Sequence, residues 1–195
     1  DPKLEVDDLG PRQILNRMSQ VIEGIKNIDS SSNDELLNNL FQRPDLPSQA
    51  RLLLANLMAK KQPDQFWSAL KERLEGIRRT TPGFFRELME WASSRTNQEA
   101  LDMVLDGFPI LEFQWQRRCA NSLVKHDKGS NLLAKVVEMG FASQFLLKEE
   151  HLWEAVAPHF TAQKKADFME VRNQLSRSKS DSEITIPEIE KNISE

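Results

Sequence analysis

The sequence predicts an all-α protein of about ten short helices and no sheet, built as an irregular multi-helix bundle or a short α-solenoid. Three observations predict it. Apolar residues recur at helical spacing from Pro11 to Leu175. Prolines and capping residues stand where helices should start, and glycines where several should stop. Alternation of apolar and polar residues never persists, and β-branched residues are sparse before Ser176.

The elements follow in order. Pro11 sits at a first helical position, and Ile14, Met18, Val21, Ile22 and Ile25 mark one face of the helix behind it. Asp29 to Asn33 reads as a polar linker. Asn33 caps a helix with Leu36, Leu37, Leu40 and Phe41 on its apolar side, and Pro44 and Pro47 punctuate the loop after it. Ser48 caps a third helix carrying Leu52, Leu53, Leu57 and Met58. Pro63 opens a fourth with Phe66, Trp67, Leu70, Leu74 and Ile77. Thr81-Pro82, a cap followed by a first-turn proline, starts a fifth with Phe84, Phe85, Leu88, Met89 and Trp91. Asn97 caps a sixth that Gly107 ends.

Pro109 is expected to start the longest later helix, through Phe113, Trp115, Cys119, Leu123 and Val124, with Gly129 closing it. Ser130 caps the next, and Gly140 stops it. Phe141 to Leu147 and Glu149 to Ala157 read as two shorter helices broken by Pro158, and Thr161 caps a last helix with Phe168, Val171 and Leu175. Trp67, Trp91 and Trp115 are evenly spaced, but the residues around them do not repeat, so neither a bundle nor a solenoid is favoured.

The organisation expected is a flexible acidic lead-in (1–10), one helical domain (11–175), and a disordered acidic tail rich in serine and isoleucine (176–195). A chain of 195 residues with 39% hydrophobic and 29% charged residues buries a sizeable core. Its apolar runs, Leu52 to Ala55 and Phe145 to Leu147, fall far short of the ~20 residues a bilayer needs. The first ten positions lack a basic region and an apolar core, so a cytoplasmic location is expected, with export without a visible cleavable signal as the alternative. Cys119 is the only cysteine, which rules out an internal disulfide and favours a reducing compartment. The net charge of −4 gathers at the two ends and leaves the middle slightly positive, unlike the collected basic surface of a nucleic-acid binder.

Chemistry-bearing patterns are sparse. No G-x-G-x-x-G and no G-K-[ST] occurs, which removes those nucleotide-binding classes. Cys119 and His126 share a helix face but stand about 10.5 Å apart along it, too far for a nucleophile and its base. Cys119 lies one turn from Trp115 and Leu123, where a buried thiol belongs. His151 has Glu149, Glu150 and Glu154 nearby, yet no H-x-x-x-H spacing accompanies it, so neither a metal nor a cofactor is expected. The pairs Glu87/Glu90 and Glu149/Glu150 read as solvated helix faces. The dipeptides Lys60-Lys61, Arg78-Arg79, Arg117-Arg118 and Lys164-Lys165 lie mostly near helix C-termini, where the dipole favours cations.

The aromatics carry what functional signal there is. Most of these rings should be core, but neighbours on a helix such as Phe84 and Phe85 point about 100° apart and Trp91 is offset from Leu88, so some aromatic surface is left over as a candidate groove. Phe84, Phe85, Trp91, Phe108 and Trp115 are therefore the expected partner-binding residues, joined by Ile184, Ile186 and Ile189 of the tail, where Pro187 could start a helical turn. The function expected is a protein–protein interaction module (adaptor, regulator or scaffold) whose apolar and aromatic groove receives a partner helix or peptide. The tail would be a second contact or an autoinhibitory strap. One alternative is a secreted bacterial effector or enzyme with a site assembled from distant helices, for which Glu150, His151 and Cys119 are first to be tested. A second is a helical nucleic-acid binder using the basic dipeptides.

Overall fold

Among the described residues, prolines stand in the first turn of two α-helices, and the side chains of His126 and Thr161 cap two more. The structure, a computed structural model, describes residues 31–181 together with Gly10, Gln13, Asn16, Arg17, Ser19, Gln20 and Gly24. The expected apolar face of Ile14, Met18, Val21, Ile22 and Ile25, and the tail residues Ile184, Ile186 and Ile189, lie outside the described residues. The described residues form nine α-helices and three 3-10 segments and contain no strand. Among them, no helix is long and apolar enough to cross a membrane. They divide into two compact units, Asp1–Gly107 and Phe108–Glu195.

The first unit holds α1 (Ser31–Gln42), α2 (Ser48–Lys61), α3 (Pro63–Thr80), α4 (Pro82–Ser93) and α5 (Gln98–Gly107). Pro63 and Pro82 each occupy the first turn, where their missing N–H costs nothing. Thr81 does not cap α4 through its side chain; its hydroxyl turns back to donate to the Ile77 carbonyl at the end of α3. Each helix packs on the next, α2 also on α4 and α3 on α5. Leu37, Leu54, Leu70, Leu88, Met89 and Val104 are almost fully buried between them, each large side chain stabilising the unit by roughly 1.5–3 kcal/mol. Gly107 lets α5 end against α4, since a Cβ there would stand 2.4 Å from Met89 Cε.

The second unit departs from the sequence reading at several places. Pro109 does not open the long helix: Phe108–Ile110 is a 3-10 turn, and α6 runs Phe113–Leu123 behind Glu112. Gly129 does not close that helix but lies in the first turn of α7 (Asp127–Glu138). Its cap is His126, whose Nδ1 accepts from the Gly129 N–H at 2.9 Å, rather than Ser130. Gly140 ends α7 as expected, with φ +72°. The 3-10 segment Gln144–Lys148, α8 (Glu150–Val156) and the 3-10 turn Ala157–His159 follow. The last helix, α9 (Ala162–Asp181), begins where Thr161 Oγ1 accepts from the Lys164 N–H at 3.3 Å. It continues past Leu175 into residues expected to be tail. It packs on Gln144–Lys148, with Phe168, Val171 and Leu175 half-buried.

Candidate functional site

In the first unit the expected aromatic residues mostly build core. Phe66 touches Phe41, Trp67 and Trp91 edge-on at centroid distances of 6.1, 5.1 and 6.2 Å, and Phe41 meets Phe84 at 5.7 Å. Phe84 and Phe85 are both 3% exposed. α4 meets protein in both directions: the Phe84 ring faces Phe41 and the Arg51 guanidinium, and Phe85 lies toward Gly107 of α5, so neither ring reaches solvent. Phe108 is fully buried in the second unit. These three phenylalanines present no ring to a partner, contrary to the sequence expectation.

Trp91 and Trp115 are half-buried. Trp91 stacks on Trp67 at 5.4 Å, and the Arg95 guanidinium lies over it at 4.5 Å. Arg118 covers Trp115 in the same way, also at 4.5 Å.

The exposed aromatic surface lies elsewhere, in the second unit. α6 turns Gln116, Cys119, Ala120 and Leu123 inward, which leaves Phe113, at its first position, on the edge of that face and 43% exposed. In the 3-10 segment, three successive side chains point about 120° apart and cannot all face the core. Leu146 and Leu147 are buried, so Phe145 is turned out and 54% exposed. The two rings meet edge-to-face at 6.3 Å, and Lys148 Nζ stands 5.9 Å from the Phe145 centroid. Buried Gln116 fixes the surrounding backbone. Its Nε2 donates to the Phe108 and Phe141 carbonyls at 3.2 and 3.4 Å, and its Oε1 accepts from the Ser143 N–H at 2.9 Å. Ile110, Met139 and Phe141, on the segments this glutamine ties to α6, are also exposed.

The residues of the enzyme alternative are not brought together. Cys119 is fully buried. His151 is exposed, with Nε2 2.6 Å from Asn121 Oδ1, and Glu150 pairs with Arg172. His126 is occupied in capping α7. Among the described residues no three His, Cys, Asp or Glu side chains gather to hold a metal ion. Two of the basic dipeptides are matched by acids: Arg78 and Arg79 both bond Glu75, and Arg117 bonds Glu149. The two arginines hold the Glu75 carboxyl down at about 2.

Phe113 and Phe145 were missed by the sequence reading. Phe145 was legible in principle, because Phe-Leu-Leu in a short segment must turn one side chain out. Comparison with protein-family models, with curated proteins and with solved structures finds no match to this chain.

Proposed function

We propose that this chain is a protein-interaction module, and that an apolar segment of a partner, a helix or a peptide, docks on the surface around Phe113 and Phe145. The observation that carries this reading is the pair of large rings in mutual contact and about half exposed, on backbone clamped by a buried glutamine. Exposed aromatic clusters on a fixed frame suit association because the rings lose little freedom on binding and remove much apolar area from water. Ile110 and Phe141 extend the apolar surface, while Lys148 supplies a polar rim.

The test is a double substitution, Phe113→Ser with Phe145→Ser, in the full chain. Both side chains are about half exposed, so the fold should hold with a modest fall in thermal stability, while a partner that co-purifies stoichiometrically with the parent protein should be lost. A partner retained at full stoichiometry by the double variant would refute this location.

A further inference from the structure

Among the described residues of the first unit, Arg51 is the one buried arginine. It sits in the first turn of α2 between core residues Ala50 and Leu54 and is 3% exposed. A desolvated guanidinium needs its charge and its donors answered. Nε donates to the Phe41 carbonyl at 2.9 Å, at the end of α1. The guanidinium lies 3.7 Å from the centroid of the Phe84 ring, and Nη1 reaches Thr81 Oγ1 only at 3.5 Å. No carboxylate among the described residues contributes to its electrostatics, and burial pulls its pKa below the ordinary value. Nη2 has no protein partner and is not among the nitrogens sealed from solvent.

What faces this end of the guanidinium is a cavity of about 400 Å³ between the end of α1, α2 and the C-terminal half of α3. Phe41, Pro44 and Ile77 give it apolar walls. The helix-end carbonyls around it are already spent. Phe41 O is taken by Arg51, Gly76 O accepts from Thr80 Oγ1 at 2.9 Å, and Ile77 O accepts from Thr81 Oγ1 at 3.2 Å. Arg73 is engaged with Asn38 Oδ1 at 2.7 Å, and Glu72 stands exposed at the mouth. Neither these carbonyls nor Glu72 answers Nη2 of Arg51, which leaves the acceptor to an occupant.

We propose that this cavity is a binding site for a small organic carboxylate with an apolar body. The Arg51 guanidinium lines the cavity, and its Nη2, which no protein acceptor takes, can donate a charge-assisted hydrogen bond to a carboxylate. The apolar walls take the rest of the molecule. A phosphate dianion would need more positive charge than Arg51 and the Asn38-engaged Arg73 supply beside Glu72.

The test is titration of the isotope-labelled full chain with benzoate, followed by amide NMR, beside benzyl alcohol and inorganic phosphate. Benzoate should give saturable shifts at Ile77 and Thr81. Benzyl alcohol should bind about tenfold more weakly or worse, since it lacks the charge-assisted pair. Glu72→Gln should tighten benzoate several-fold by removing the like charge. Because replacing Arg51 endangers the fold, the blocking variant is Gly76→Leu: a Cβ at Gly76 meets nothing within 4 Å, and its side chain would fill the space. That variant should keep its circular dichroism spectrum and lose benzoate. The proposal is overturned if benzoate gives no saturable shift, if benzyl alcohol binds equally well, if phosphate binds more tightly than benzoate, if Glu72→Gln leaves benzoate affinity unchanged or weakens it, or if Gly76→Leu binds benzoate like the parent.

Discussion

Gly129→Ala should destabilise the second unit, although helix propensity alone says the reverse. Gly129 lies in the first turn of α7, where alanine is favoured over glycine by about 1 kcal/mol. A Cβ there would stand 2.2 Å from the Leu123 carbonyl oxygen and 2.6 Å from His126 Cε1. The first contact is backbone, roughly 1 Å inside ordinary van der Waals distance, so α6 and α7 must move apart. Overpacking of this kind costs about 1–3 kcal/mol, and displacing His126 loses a cap worth about 1 kcal/mol. Set against the propensity gain, the net loss is about 1–3 kcal/mol, or a fall in Tm of roughly 5–20 °C for a unit of this size. Thermal unfolding followed by tryptophan fluorescence reads it. Gly76→Ala is the control: it is interior to α3, meets nothing within 4 Å, and should stabilise the first unit by about 0.5–1 kcal/mol. A Gly129→Ala protein as stable as the parent would refute the close approach of α6 and α7.

The Glu75 carboxyl should titrate near pH 2 rather than at its ordinary 4.5. Its folded value is depressed, so whatever stability the Arg78–Glu75–Arg79 cluster contributes is present above pH 4.5 and lost as pH falls toward 2. Carboxyl carbon NMR checks this, and a midpoint near 4.5 would contradict the geometry. Gln116→Leu should cost about 1–3 kcal/mol, because it strands the Ser143 N–H, and it should speed amide exchange at Ser143 specifically. Cys119, fully buried, should resist an aqueous thiol reagent in the native protein and react on addition of urea, whereas rapid native labelling would contradict its burial.

Much of the fold was legible because its determinants are local. Pro63 and Pro82 mark first turns, Gly140 takes the positive φ at which α7 ends, and Thr161 caps α9, each for reasons contained within a few residues. The errors came where tertiary contact outweighed local pattern. Histidine is not a usual cap, and Gly129 stands inside a turn because the Leu123 carbonyl leaves no room for a side chain, which no window around Asp127 reveals. Phe84 and Phe85 illustrate the same limit. Their angular separation is correct, but whether both directions meet protein depends on Phe41 and Arg51 on one side and α5 on the other. Arg51 stood in an apolar helix face with no acidic neighbour, a sequence signal of burial, yet its cavity comes from α1 and α3.

The interaction surface is tested most directly by placing a photo-cross-linking amino acid at Phe145, with a second variant carrying it at Gln163, exposed at the start of α9. On irradiation in the source cell, the Phe145 variant should yield one dominant adduct to a partner protein, which Phe113→Ser weakens and the Gln163 variant lacks. Equal adducts from both positions, or none from Phe145, would contradict a docking surface there.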